Sequence, residues 1–162
     1  MKRKFHAGRP EDAQEFLAEL LDTDKAPMVS RALQGTNVPT LECKTCGFTQ
    51  VFHGAETGFT HVQLSLQHHV IAINDIQAAI DAHRAEEELP GFTEFPCNCT
   101  GANRPRIWKR QRSHKTPAIL CLHLVRWGGV AQVISSQIHP NGNLGFAGER
   151  YDLRAVIYHH GS

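Results

Sequence analysis

Leu41-Glu42-Cys43-Lys44-Thr45-Cys46-Gly47 and, further along the chain, Phe95-Pro96-Cys97-Asn98-Cys99 decide how this sequence is read. Together they hold four of its five cysteines. Thiolates two or three positions apart on a turn can share one cation, and two such turns complete a tetrahedron of soft sulfur ligands. Thr45 and Gly47 suit the tight turn of a zinc knuckle, whereas the single spacer Asn98 in the second pair is less usual. The spacing also fits two unrelated pairs of free thiols at hairpin ends. A C-x-C pair fits a reducing compartment with a metal better than a disulfide framework.

Around these pairs the composition is that of an ordinary domain. The 162 residues are 41% apolar with a formal charge of +1, enough for a core and too balanced for a global field aimed at nucleic acid or a membrane. No apolar run approaches a membrane span, and the N-terminus has no signal-peptide apolar region. An intracellular protein, cytoplasmic or nuclear, is expected. Most of the eleven histidines read as surface or partly buried polar residues, with His68-His69 and His159-His160 as pairs that could ligate.

Helical spacing of Ala13, Phe16, Leu17, Leu20 and Leu21 predicts a helix from Pro10 to Asp22, opened by Pro10 and acidic Glu11-Asp12. Strands are expected at Leu41–Cys43, Gly47–His53 and His61–Leu66, where Val62, Leu64 and Leu66 alternate with polar neighbours. A second helix is expected from Asp75 to Glu88, capped by Asn74 and stopped by Pro90-Gly91. Phe92–Cys99 reads as a strand into the second cysteine turn. Ala118–Trp127, apolar on both faces, reads as a central strand covered on both sides. Within it Cys121 is a small core residue rather than a nucleophile. Asn141–Gly148 reads as a glycine-rich connection and Tyr151–Tyr158 as the last strand. The order suggests an α+β fold with a largely antiparallel sheet.

Four blocks in one order resemble the ubiquitin-specific proteases. Glu11-Asp12-Ala13-Gln14-Glu15-Phe16-Leu17 with Leu20-Leu21-Asp22 looks like that family's QDAHEFL box, and the two cysteine pairs stand where its zinc-binding fingers carry theirs. Thr116–Trp127 looks like its "lPxvLxlhLkRF" strand, and Tyr151–Gly161 like its "YxLxAVxxHxG" strand. The resemblance implies a papain-like fold with thumb helices, an antiparallel palm sheet and zinc-binding β-fingers that grip ubiquitin, here truncated at both ends. Residues 5–40 would be thumb, 41–110 fingers with an inserted helix, and 111–162 palm. It implies a structural zinc on Cys43, Cys46, Cys97 and Cys99, and ubiquitin or ubiquitinated proteins as partners.

A cysteine protease needs a thiolate, a base and a group that orients the base. The family's nucleophile lies upstream of the QDAHEFL helix and its histidine beyond the HxG turn; neither maps onto this sequence, so no catalytic residue is assigned. Cys121 and His123 stand two apart on one strand, roughly 6–7 Å from each other, too far for a thiol–imidazole pair in most rotamers. The expected function is therefore a fragment of a thiol-dependent deubiquitinase. The alternatives are an inactive ubiquitin-binding pseudo-deubiquitinase and, from the basic run Arg104–Lys115 around Trp108, a zinc module for nucleic acid. The near-neutral charge disfavours the last, and the basic run reads better as a solvated strand or loop.

Overall fold

A computed structural model of the chain describes residues 13–22, 26–68, 71–91, 95–99, 105–125, 138 and 141–157. Its longest strands, β1 (Gly35–Cys43) and β8 (Ile107–Lys115), run antiparallel and form the spine of the molecule. β3 (Thr57–Phe59) pairs with the first half of β1 and β2 (Thr49–Val51) with the second. Pro39 falls between these two pairings, so its missing N–H deprives no ladder, and its carbonyl still accepts from the Phe52 amide at 3.1 Å. β7 (Glu87–Glu88) continues the sheet along the far edge of β8.

Gly35 is buried where β1 meets β3. Its cross-strand partner Phe59 lays its ring over the glycine, where any Cβ would collide with it. That ring meets Phe146 edge-on at 6.2 Å and so joins the first core: Val62, Leu64, Ile76, Ala79, Ile80 and Phe146. Val62 and Leu64 reach that core from β4 (Val62–Ser65), whose buried–exposed alternation is the one expected from sequence. β4 pairs in parallel with β9 (Leu122–Val125), and the short strands β5 (Gln67–His68) and β6 (Ile71–Ala72) pair with each other.

Three helices are described. α1 (Ala13–Asp22) agrees with the expected N-terminal helix, whose Pro10–Asp12 opening lies outside the described residues. α2 (Pro27–Leu33), with Pro27 in its first turn, was not anticipated. α3 (Ile76–His83) buries Ile76, Ala79 and Ile80. Its cap is Asp75, not Asn74: the carboxylate accepts from the Ala78 amide at 2.8 Å and from the Asn141 side chain at 3.1 Å. The helix also ends five residues earlier than expected. Its apolar stripe runs out at His83, and Glu87–Glu88 leave the helix to pair with basic β8.

Other expectations are corrected. Residues 95–99 are irregular, with a bend at 96–97, rather than a strand, and 92–94 lie outside the described residues. Of the strand expected over Ala118–Trp127, whose last two residues lie outside the described ones, the described part is regular only at β9, which is half-buried along its length and pairs with β4. Before it the chain is not strand: the Ile119 amide bonds the Ala32 carbonyl of α2, and the Ile119 side chain is 55% exposed. The supposed connection Asn141–Gly148 contains β10 (Asn143–Phe146), which forms a hairpin with β11 (Glu149–Asp152). Ala147 and Gly148, both at positive φ (55° and 87°), make its two-residue turn, matching the twist of the flanking strands. The last strand thus ends at Asp152, and residues 153–157 are exposed and irregular.

Candidate metal centre

β1 ends at Cys43, opposite Ile107 of β8, and the chain turns at once through Lys44–Cys46. The Gly47 amide donates to the Cys43 carbonyl at 2.7 Å, and the Cys43 amide donates to the Phe48 carbonyl at 2.8 Å. Closing so tight a turn puts Gly47 at φ +77°, a conformation glycine adopts freely. The turn is also tied to the start of β8: the Lys44 amide donates to the Arg106 carbonyl at 2.9 Å, and the Arg106 amide to Thr45 Oγ1 at 3.3 Å.

The second pair arrives on a different support. Phe95 is buried against Leu41, Cys43 and Ile107, and its ring meets Phe48 edge-on at 5.4 Å. This second core, bordered by Phe52 and Leu89, anchors the segment from which Cys97 and Cys99 project. The Cys97 amide folds back to the Phe95 carbonyl at 2.7 Å, turning the chain at Pro96 immediately before the one-spacer pair. Phe48 and Phe95 carry this docking. Neither stood out in the sequence, because aromatic residues beside a turn have no periodic signature.

All four sulfurs of Cys43, Cys46, Cys97 and Cys99 lie within 4.8 Å of one another, and Cys43 Sγ stands 3.8 Å from Cys99 Sγ. Zinc–thiolate bonds of about 2.3 Å in a tetrahedron require sulfur–sulfur edges of about 3.8 Å, so the cluster has the size of a zinc site. None of the cysteines is in a disulfide. The electrostatics agree. Burial opposes ionisation of Cys43, but the Cys46 and Thr45 amides and the Cys46 and Cys97 thiols outweigh it and hold its pKa down at about 6. Cys99, desolvated and beside the other thiols, is pushed up to about 12. A divalent cation among the four sulfurs would favour the thiolate form of each. A metal held by these four sulfurs would supply a structural cross-link between residues 43–46 and 97–99.

The other residues singled out in the sequence stand elsewhere. Cys121 is half-buried, its thiol pushed up by burial with no charged partner to form a thiolate. His123 faces His61 across the β4–β9 pair, ring centroids 6.5 Å apart, and its Nδ1 is buried without a partner. His69, His159 and His160 lie outside the described residues, and the four-cysteine cluster is the only potential metal site among the described ones. The basic run is mostly β8, a strand rather than a loop, and several of its charges are matched. Arg106 pairs with Glu88 at 3.1 Å and Arg110 with Glu86 at 3.4 Å, while Lys44 bridges Glu42 and Glu86 at 3.0 and 2.9 Å.

No family model and no curated protein matches the chain. Solved structures do resemble it. A chain of the SAGA DUB module containing Ubp8, Sgf11, Sus1 and Sgf73 superposes with a TM-score of 0.53 at 17% identity, covering 83% of this chain and 29% of that one. A chain of the same kind of module bound to monoubiquitin gives a TM-score of 0.59 at 19% identity, covering 83% and 32%. This chain therefore spans about a third of the length of the chains it resembles. At these identities the likeness is one of fold: an α+β chain, mainly antiparallel, with four clustered cysteines, similar to part of a DUB-module chain.

Proposed function

We propose that this chain is the ubiquitin-gripping part of a deubiquitinase domain of the ubiquitin-specific protease kind, with a structural zinc on Cys43, Cys46, Cys97 and Cys99. The observation that carries the reading is the four-cysteine cluster at the end of the β1–β8 ribbon. It is supported by the fold likeness to a chain of a DUB module bound to monoubiquitin. In this reading residues 41–110 act as fingers, the segments before and after them belong to thumb and palm, and the protein works where thiols stay reduced, in cytoplasm or nucleus.

The chain taken alone grips and does not cut. Four of its cysteines are committed to metal, and the fifth, half-buried Cys121, has its pKa raised by desolvation. No described helix is long and apolar enough to cross a membrane. The carboxylates held by Arg106 and Arg110 weigh against the nucleic-acid reading.

The test is to mix the zinc-loaded chain with ubiquitin bearing a C-terminal electrophile, and to follow both complex formation and intact mass. A reversible complex without a covalent adduct is expected. A cysteine-dependent adduct would overturn the assignment of the thiols, and the absence of any complex would overturn the grip.

A further inference from the structure

Among the described residues the outer edge of β8 is only half used. The Leu89 amide donates to the Ile107 carbonyl at 2.8 Å, so Ile107 turns its backbone groups toward β7. By the alternation of a strand, Lys109, Gln111 and Ser113 turn theirs to the same side. β7 covers this edge with two residues, Glu87 opposite Lys109 and Glu88 opposite Trp108. Beyond Lys109 no described strand pairs with it. There the edge opens on a groove of about 400 Å³ lined by Arg84, Glu86, Arg110, Gln111 and Arg112.

The groove is basic and incompletely compensated. Glu86 is already held by Lys44 and Arg110. Arg84 donates to Ser113 Oγ at 3.0 Å and lies 4.8 Å over the Phe146 ring, but no described carboxylate pairs with it or with Arg112. Its burial lowers the Arg84 pKa, the mark of a charge drawn from water without an opposite charge in exchange. Arg110 Nε is buried with no partner, as is Oγ1 of Thr40, its cross-strand neighbour in β1. The protein has met the first half of this basic edge with an acidic strand of its own, with Glu88 on Arg106.

We propose that the free edge of β8 over Gln111–Lys115 is a docking site for an extended acidic peptide segment of a partner protein, which adds as a strand and sets carboxylates against Arg84 and Arg112. Main-chain pairing supplies register, and alternate side chains of the incoming strand meet the guanidinium groups. This inference goes beyond the proposed function and stands or falls without it, since neither ubiquitin nor zinc enters it.

The test uses the full chain and a fluorescein-labelled peptide of alternating Glu and Val, with a Lys–Val peptide as control. Fluorescence anisotropy gives the affinity, and hydrogen–deuterium exchange reads the amides of 107–115. Saturable binding of the acidic peptide is expected, with on the order of tenfold weaker binding of the Lys–Val peptide and of Arg112→Glu. Gln111→Pro, which keeps every charge but removes an edge N–H, is expected to weaken binding by a similar factor, with an unchanged circular dichroism spectrum. In the unsubstituted chain the Gln111 and Ser113 amides gain protection when peptide is added. Wild-type affinity in Gln111→Pro together with unprotected edge amides would overturn strand addition. Equal binding of the two peptides, or displacement by inorganic phosphate beyond that by sodium chloride of equal ionic strength, would overturn the acidic-segment assignment.

Discussion

Individual side chains carry unequal weight here, and the five cysteines show it best. Cys43 is fully buried between the strands and the second core, while Cys46 is exposed at the tip of the turn. Cys121 belongs to another part of the molecule. Cys43→Ser is expected to abolish stoichiometric zinc and lower the melting temperature, whereas Cys121→Ser keeps one zinc per chain; elemental analysis after gel filtration distinguishes them. Asp75 makes a smaller, cleaner case. Asp75→Ala removes the cap of α3 and is expected to cost about 1 kcal/mol in denaturant unfolding, with Asp75→Asn costing less because its oxygen still accepts. The Ala78 amide, and then the Asn141 side chain, hold the Asp75 pKa below the ordinary carboxylate value. A lowered folded-state pKa stabilises the fold above the unfolded-state value, and that stabilisation is lost as pH falls through the folded-state value. The difference between wild type and Asp75→Ala should therefore shrink below about pH 4. The cysteines were legible in the sequence because metal chemistry needs those residues at that spacing. Asp75 was overlooked in favour of Asn74, since either can cap and only backbone geometry decides.

Elements were readable where one periodicity dominates and obscure where tertiary pairing overrides it. α1 and β4 follow their apolar spacing. The end of α3 does not: Glu87 and Glu88 are good helix residues, but opposite Lys109 and Trp108 they gain backbone pairing and a charge match that a further turn of helix would not supply. The hairpin β10–β11 was hidden because Ala-Gly is a weak turn signature, although its backbone takes the shape that Asn-Gly takes more readily. At the β1–β3 junction the close approach of an aromatic ring to Gly35 makes a sharp prediction. Gly35→Ala must displace Phe59 from Phe146 and is expected to destabilise by about 1–3 kcal/mol in urea unfolding; an unaltered midpoint would mean that the ring does not pack on the glycine.

At the scale of the whole molecule, the described residues are organised around two cores and one ribbon. The first core joins α3, β4, β9 and the terminal hairpin; the second is small and lies under the four thiols. Leu41, Cys43, Phe95 and Ile107 bury little apolar surface, so a cross-link between residues 43–46 and 97–99 has much to add there. The α+β class, the mainly antiparallel pairing and the gathering of four cysteines could be expected from the chain alone. The supports of the metal centre could not, because Phe48, Phe95 and the Lys44–Arg106 contact act between segments distant in sequence. The same long-range logic left β8 with charged residues paired on one half of its edge and open on the other.

The proposed grip on ubiquitin depends on a zinc-held β-ribbon. The most direct measurement is the affinity of the chain for ubiquitin, by isothermal titration, before and after removal of metal with a chelator. Saturable binding that weakens at least tenfold on zinc removal and returns on adding one equivalent of zinc is the predicted result. Binding of equal strength with and without metal, or none to the zinc-loaded chain, would contradict it.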